Sequence, residues 1–390
     1  MESLMSLPKL QNTLFLDATV DVKGTAYETI VSNTLKQEAG QFFTPRNVIK
    51  CMVEMLNPTI NSRVLDPACG SGGFIVMVLD HVRKQITKNM FSELEGALLE
   101  AKANSDAVNV KVKEYAENMI FGFDFDPDLK KAAKMNMVMA GDGHSNIYNI
   151  NSLEYPNGTL PDVEKVSESV ANSIKHKGDI DECDSAYSLD NALGKFDCIF
   201  TNPPFGSKVE VASTIAENYE LKAFTAPEVL FIEQCYNFLK PGGKMGIVLP
   251  DGILGNPKME SVRKWILEHF KLLASIDLPV EAFLPQVGVQ ASLLFLQKKT
   301  ALERLVDPNS EMYDVFMAIA EKVGKDRRGN VIYERDDDGA EILFVENKEW
   351  ASYNHNGELI SRHRTERVKH VDDDLPKIST AYKKFLEGLL

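Results

Sequence analysis

The segment Val64-Leu-Asp-Pro-Ala-Cys-Gly-Ser-Gly-Gly-Phe74 constrains the fold more than any other part of the chain. Residues Arg63–Asp66 are typical of a short buried strand, and the apolar run Phe74–Leu79 is typical of the opening of a helix. The glycines between them predict a tight turn that lets a ligand approach the backbone closely. A strand, a glycine-rich turn and a helix in this order predict a doubly wound α/β fold that binds a nucleotide-like ligand.

The glycine turn matches neither common phosphate-binding motif. Ile75 stands where the last glycine of G-x-G-x-x-G would be, and the chain contains no Gly-Lys-Ser/Thr sequence. The acid ahead of the turn, Asp66, argues against a polyphosphate ligand because like charges repel. A cationic or hydroxyl-bearing ligand is therefore expected.

A second acid-terminated strand is predicted in Met119-Ile-Phe-Gly-Phe-Asp-Phe-Asp-Pro127. In this class of fold, an acid at the end of the second strand typically accepts hydrogen bonds from ribose hydroxyls. We assign that role to Asp124 and predict that Asp126 caps the following helix, Pro127–Met139. Considered without their context, both acids could equally be solvated helix caps.

The turn Asn202-Pro203-Pro204-Phe205 follows a further apolar strand, Phe196–Thr201. The Asn202 side-chain oxygen and the Pro203 carbonyl can both accept hydrogen bonds, while the prolines fix φ and remove competing donors. The Phe205 ring can stack on a flat substrate. These parts suit methylation of an amino group on a base, although the tetrapeptide alone could equally be a proline-rich loop.

A fourth motif, Gly40-Gln-Phe-Phe-Thr-Pro-Arg46, precedes a helical pattern of apolar residues at positions 48–56. Thr44 is predicted to be the N-cap and Pro45 the first helical residue. The N-terminus of such a helix attracts a carboxylate.

The four motifs, in this order, resemble the S-adenosylmethionine-dependent DNA amino-methyltransferases, and most closely the modification subunit of type I restriction–modification systems. The resemblance covers roughly residues 20–300 and includes four further phrases, Asp21–Glu28, Lys134–Met137, Leu239–Gly243 and Ile247–Gly252. It implies a site-specific adenine N6 DNA methyltransferase that acts on a flipped base, with Asn202, Pro203, Pro204 and Phe205 at the target amine. It also implies a mostly parallel, seven-stranded Rossmann-like sheet with an antiparallel last strand. The implied partners are DNA, a specificity subunit, and further modification and restriction subunits.

The resemblance also implies a binding role for each part of the cofactor, S-adenosyl-L-methionine. Phe43 and Thr44 would hold the methionine carboxylate, Asp66 with Pro67 would lie near its ammonium group, and Gly70 and Gly72 would permit backbone approach. Asp124 would bind the ribose, and Phe125 would lie against the adenine. Family members often place an acid after the third strand to accept from the adenine amine. This chain has Asn151 there, which lacks the charge-assisted part of that bond, and Asp142 is an alternative.

Composition limits the remaining possibilities. The 390 residues include five cysteines without a Cys-x-x-Cys pair, and neither a signal peptide nor an apolar run of membrane length is evident. We expect a cytoplasmic protein in a reducing compartment, with no membrane association and no metal site. A net charge of −14 suggests that phosphate contacts are few or are shared with a partner.

Two other function classes remain open. One is a different amino-methyltransferase, acting on cytosine N4 or on a protein glutamine, although the glutamine enzymes normally carry Tyr where this chain has Phe205. The other is a non-catalytic, cofactor-binding scaffold subunit, which the intact catalytic turn argues against. Methylation at cytosine C5 is not expected, because it needs a thiolate and the chain contains no Pro-Cys pair.

We predict three regions, namely a helical N-terminal segment (1–40), the methyltransferase domain (41–300) and a polar, partly helical extension (301–390). Residues 1–40 are the possible remnant of a larger helical domain usual in the resembled family, in a short member or a truncated chain. The extension is expected to be either a solvated appendage or a docking arm, ending in a helix at Ile378–Leu390. Phe91–Glu100 is predicted to be an extra helix and Pro161–Asn191 a surface loop. The predicted strands are Val64–Asp66, Ile120–Asp124, Asn146–Ile150, Cys198–Thr201, Met245–Leu249, Leu273–Leu278 and Ser292–Leu296.

Overall fold

A computed structural model describes residues 43–141, 146–177, 191–205, 211–305 and 312–389. Within these ranges the strands are β1 (Val64–Asp66), β2 (Ile120–Asp124), β3 (Asn146–Asn149), β4 (Phe196–Thr201), β5 (Leu239–Pro250), β6 (Phe270–Asp277), β7 (Ala291–Lys298), β8 (Phe316–Ile319), β9 (Phe344–Tyr353) and β10 (Leu359–Val368). The α-helices are α1 (Arg46–Leu56), α2 (Gly73–Met90), α3 (Gly96–Lys102), α4 (Asp106–Met119), α5 (Pro127–Met139), α6 (Val163–Lys177), α7 (Ser213–Ala216), α8 (Pro227–Phe238), α9 (Asp251–Gly255), α10 (Glu260–His269), α11 (Ala301–Leu305) and α12 (Leu375–Leu386). Among these helices, none combines the length and the apolar character that a membrane span requires.

The central sheet has the strand order β3-β2-β1-β4-β5-β7-β6-β8. Strands β1 to β5 pair in parallel, whereas β7 runs antiparallel to both β5 and β6. The predicted doubly wound, mostly parallel sheet is therefore confirmed, and the short strand β8 adds an eighth member at one edge. The strand order reverses between β1 and β4, and ligands of open α/β sheets bind beyond the carboxyl ends of the strands at such a point.

Helices cover both faces of the sheet, so the strands are buried on both sides. In β4, Phe200 belongs to the core beneath α1 and α2, while its neighbour Ile199 belongs to the core beneath α8 and α10. Both side chains are fully buried, as expected where successive strand residues point to opposite faces. The two cores hold β1, β2 and β4 in a fixed arrangement and so position their carboxyl ends.

Residues 161–177 do not form the predicted surface loop. They include α6, in which Val166 and Val170 are fully buried against the second core. Their spacing, together with Val163, is helical, but the many polar residues of the exposed face concealed the pattern. Residues 178–190 of the same predicted loop lie outside the described ranges.

The C-terminal region contains more regular structure than its sequence pattern indicated. Strand β8 joins the sheet, and α12 packs against α1. Leu375 and Tyr382 of α12 are buried in the core beneath α1 and α2. Between them, β9 and β10 form a two-stranded antiparallel ribbon that contacts α3. The predicted terminal helix is present as α12 and begins three residues earlier. The predicted helical segment 1–40 lies outside the described residues.

Candidate active site at the carboxyl ends of the strands

A cleft of about 320 Å³ opens beyond the carboxyl ends of β1, β2 and β4. Most of the residues predicted to form the site line it, namely Phe43, Pro67, Gly70, Asp124, Phe125, Asn151, Asn202, Pro204 and Phe205. A smaller recess of about 40 Å³ shares Phe43, Gly70 and Asn202 with the cleft and adds Thr44 and Asp66. Two predicted residues, Pro203 and Gly72, line neither space.

The two glycines singled out in the turn after β1 serve different purposes. Gly70 has φ +52°, and a Cβ atom there would meet nothing within 4 Å, so this backbone faces open space. Gly72 has φ +85°, and a Cβ atom there would lie 3.2 Å from the Ala133 Cβ of α5. Gly72 therefore permits close packing of the turn against a helix, while Gly70 leaves its backbone open to a ligand. The buried Asn136 side chain fixes the turn by donating to the Ser71 carbonyl at 3.1 Å.

Asp124 ends β2 and lies at the wall of the cleft. Its Oδ2 accepts from the Gly70 amide and its Oδ1 from the Asp126 amide, both at 2.9 Å. Burial raises the pKa of Asp124 to about 6, although these two hydrogen bonds act in the opposite direction. Each carboxylate oxygen keeps a further lone pair, so the group can still accept two hydroxyl donors. Asp126 caps α5 through the amides of Asp128 and Leu129, as predicted.

Asp66 ends β1 beneath the recess and is 1% exposed. Its Oδ1 accepts from the Ala68 amide at 3.1 Å. Burial, and to a smaller degree the negative charge of Asp124, raise the pKa of Asp66 to about 8. Two acids on neighbouring strands thus share a poorly solvated site, and a cationic ligand group would relieve the cost of ionising them.

The loop after β3 forms the wall where the cofactor adenine is expected. Asn151 is held locally, because its Nδ2 donates to Glu154 Oε1 at 2.6 Å and its Oδ1 accepts from the Leu153 amide at 3.2 Å. The next residue, Ser152, donates to the Pro67 carbonyl at 2.6 Å and ties this loop to the turn after β1. The predicted alternative, Asp142, lies outside the described residues.

Asn202 stands at the end of β4, where the cleft and the recess meet. Its Nδ2 donates to Thr44 Oγ1 at 3.0 Å. Its Oδ1 is buried and has no hydrogen-bond partner among the described residues. Phe205 packs edge-on against Phe283, with ring centroids 6.3 Å apart, so its ring is supported from behind. The turn at residues 202–205 therefore contains a buried, unpaired oxygen acceptor in Asn202, and both Asn202 and Phe205 line the cleft.

The predicted capping role of Thr44 is wrong. Helix α1 begins at Arg46, and its N-cap position is Pro45, whose φ of −58° and ψ of 142° are not helical. No side chain caps this helix. Because the chain enters the helix one residue later than predicted, the Thr44 hydroxyl is available to accept from Asn202 instead.

Sequence reasoning missed most of the apolar lining of the cleft. Leu129 and Leu153 could have been inferred as lining residues from the predicted strands, because they lie shortly after the carboxyl ends of β2 and β3. The opposite wall has no local motif, since its residues come from α7, α8 and the segments before them. These residues are Val211, Ala212, Ile215, Pro227 and Phe231.

Comparison with known proteins shows the family. The model of the N-6 DNA Methylase family matches residues 18–359, which is most of the chain. The chain belongs to the N-6 DNA Methylase family. The glycine turn, the acid-ended β2 and the turn at residues 202–205 all lie within the matched residues, so the family match and the geometry of the site concern the same part of the molecule.

Relatives of this N-6 DNA Methylase chain include methylase subunits of type I restriction enzymes. The StySPI methylase subunit of Salmonella potsdam is 27% identical over 290 residues, which is 73% of this chain and 46% of the relative. The EcoKI methylase subunit of Escherichia coli K12 is 26% identical over the same length, with the same coverage. The chain thus spans about half the length of these relatives.

Solved structures show the same fold. A Vibrio vulnificus protein assigned as a modification subunit of a type I restriction enzyme superimposes with a TM-score of 0.52 at 20% identity, covering 88% of this chain and 64% of that one. A Listeria monocytogenes protein assigned to the class I S-adenosylmethionine-dependent methyltransferases gives a TM-score of 0.50 at 18% identity, covering 79% and 76%. The N-6 DNA Methylase chain therefore has the class I methyltransferase fold.

Proposed function

We propose that this chain transfers a methyl group from S-adenosylmethionine to N6 of an adenine flipped out of DNA, as the modification subunit of a type I restriction–modification complex. The observation that carries the proposal is the Asn202 Oδ1 atom. It is a buried acceptor without a partner among the described residues, held at the junction of the cleft and the recess. A buried acceptor left unpaired is costly, so a ligand donor is the natural partner for it.

The residues around the cleft fit S-adenosylmethionine. Asp124 retains acceptor capacity for two ribose hydroxyls, and Asp66 would gain from a nearby ammonium group. Phe125 is 59% exposed and lines the cleft, where it could lie against an adenine ring. When bound, S-adenosylmethionine supplies the electrophilic methyl group.

The chain contributes the positioning of the target amine. Asn202 Oδ1 accepts one of its N–H bonds and, as the family resemblance implies, the carbonyl of the adjacent Pro203 accepts the other, although Pro203 itself lines neither space. The two bonds draw the nitrogen lone pair out of conjugation with the base. Phe205, supported by Phe283, stacks on a base that has left the duplex. No covalent enzyme intermediate is needed, so alignment and fixed dipoles provide the acceleration.

The proposed assembly rests on the relatives and on charge. The relatives named above are subunits of type I restriction enzymes, and the net charge of this chain is −14. Because phosphate neutralisation supplies most nonspecific affinity for DNA, a chain this acidic would share its DNA contacts. We propose that a specificity subunit reads the target, with further modification and restriction subunits in the complex.

Product identification tests the proposal. The chain would be co-expressed with the genes that neighbour its own, and host DNA would be sequenced for N6-methyladenine, with Asn202→Ala as the inactive control. Methyladenine at one recurrent sequence, absent from the control, is the expected result. N4-methylcytosine in the DNA, or methylated glutamine found by mass spectrometry of host proteins, would support another amino-methyltransferase, and cofactor binding without any product would support a scaffold.

A further inference from the structure

We infer that Thr44 is a positioning residue that sets the orientation of the Asn202 amide and makes it depend on cofactor occupancy. The inference rests on the proposed function and extends it. Thr44 Oγ1 accepts from Asn202 Nδ2 at 3.0 Å across a separation of 158 residues. With Nδ2 held in this way, the amide is turned so that Oδ1 is the end left for the target amine.

The orientation of this amide decides whether the turn can work. The two ends of a primary amide are almost the same size, but only the oxygen can accept the N–H of a base. If the side chain rotated by half a turn, it would present its NH₂ group to another NH₂ group. A hydrogen bond at the far end distinguishes the two orientations when its partner can only accept, and Thr44 Oγ1 is the acceptor at that end.

Thr44 is itself held firmly. It leads into α1, whose Val48, Ile49 and Met52 side chains are at most 2% exposed. Asn47 in the first turn of α1 donates to the Val323 carbonyl at 3.1 Å and to Asp373 Oδ2 at 3.0 Å. The backbone that carries the Thr44 hydroxyl is therefore anchored by a helix packed into the core rather than by the turn at residues 202–205.

Thr44 also lines the recess predicted to hold the methionine end of the cofactor. A hydroxyl has one proton to donate and two lone pairs to accept with. When a carboxylate in the recess accepts a hydrogen bond from the hydroxyl, the hydroxyl can act only as an acceptor towards Asn202. The amide is then locked with its oxygen towards the base. Without the carboxylate, the hydroxyl can donate to a rotated Asn202, so cofactor and base binding are coupled.

The test compares variants of the full chain in the co-expressed complex that methylates DNA. Thr44→Val keeps the shape and removes the hydroxyl, and we expect kcat at saturating cofactor to fall about tenfold, the scale of one neutral hydrogen bond. Thr44→Ser should restore kcat to within about twofold. Thr365→Val removes a comparable Thr–Asn bond on the β9–β10 ribbon, 2.9 Å long, and serves as the matched control.

A second set of variants tests whether the orientation of the Asn202 amide is the cause of the lower kcat. A carboxylate has two equivalent oxygens, so Asn202→Asp leaves no orientation to lose. In that background Thr44→Val should change kcat by less than about twofold. Without turnover, S-adenosylhomocysteine should tighten the binding of DNA that contains the target adenine to the complex with the unmodified chain, and this increase should vanish in Thr44→Val.

The outcomes separate the inference from the proposed function. A complex that makes no methylated adenine with the unmodified chain refutes the proposed function, and the inference with it. A methylating complex in which Thr44→Val raises only the KM for cofactor, with kcat unchanged, shows that Thr44 merely binds the cofactor and overturns the inference alone. Thermal unfolding checks that each variant folds, and Thr44→Ala replaces Thr44→Val if the latter does not.

Discussion

At the scale of single residues, the cleft contains polar groups whose burial without a binding partner opposes folding. Asp66 and Asp124 have pKa values raised to about 8 and about 6 by burial, and Asn202 carries an unpartnered buried oxygen. A stable core would avoid all three features, because buried charges and unpaired acceptors oppose folding. Their meeting in one cleft is physical evidence for a ligand site.

Asp124 predicts how cofactor affinity depends on pH. Hydroxyl donors bind the ionised carboxylate, so the dissociation constant for S-adenosylmethionine should rise as pH falls through about 6. Asp124→Ala should weaken binding by about 1.5–3 kcal/mol at pH 7.5, the scale of hydrogen bonds to a charged group. Titration calorimetry between pH 5 and 7.5 measures both effects. An affinity that is flat across this range in the unmodified chain would place the ribose contact elsewhere.

Asp66 should make the stability of the fold depend on pH in the sense opposite to that of a usual surface carboxylate. Its folded-state pKa of about 8 lies above the ordinary aspartate value of 3.8, so between these pH values the folded state binds more protons than the unfolded state. The contribution of Asp66 to the free energy of unfolding therefore falls as pH rises from about 4 to about 8. Asp66→Asn keeps a side-chain oxygen that can accept from the Ala68 amide, and it removes the free-energy cost of ionising a buried carboxyl group.

We therefore expect Asp66→Asn to raise the melting temperature of the unliganded chain at pH 8, with little effect near pH 4. The same variant should bind S-adenosylmethionine more weakly. Thermal unfolding at the two pH values measures the first effect, with the exposed Asp128→Asn as the control. An equal shift at both pH values would contradict the assignment of the cost to ionisation.

At the scale of elements, strands with two buried faces were the easiest features to predict. Residues 64–66, 120–124 and 196–201 were found because they are apolar and end in residues with obvious chemistry. Helix α6 was missed because its buried face is only a few valines wide, and β9 and β10 because exposed ribbons carry no apolar alternation. The α7–α8 wall of the cleft could not be predicted, because it depends on where distant segments pack.

Helix α12 illustrates an element whose importance the sequence did not reveal. Tyr382 is 3% exposed and packs against Phe295 of β7 and Phe316 of β8, with ring centroids 6.5 and 5.3 Å away. Tyr382→Ala should lower the free energy of unfolding by about 3–5 kcal/mol, the usual cost of removing a large core ring. Denaturant unfolding measures it. Tyr353→Ala, at a ribbon position 69% exposed, should change stability by less than about 0.5 kcal/mol.

At the scale of the whole molecule, the described ranges contain the cleft and the recess, but no separate recognition domain is evident in them. We expect the isolated chain to bind S-adenosylmethionine and to show little sequence-specific methylation of DNA, since the net charge of −14 opposes unaided DNA binding. Calorimetry and a methyl-transfer assay, with and without a specificity partner, measure the two properties. Robust, sequence-specific methylation by the purified chain alone would point to a self-sufficient enzyme.

The packing of α1 against α12 has a consequence for biosynthesis. Asn47 contacts Asp373, and Glu54 accepts a hydrogen bond from Ser379, so partners in this contact are more than 320 residues apart in the chain. At about 5–20 residues per second, a ribosome needs roughly 16–65 s between making one helix and the other. During that interval the apolar side of α1 lacks its final cover. The packing around α1, which Thr44 precedes, can therefore be completed only after translation has passed α12.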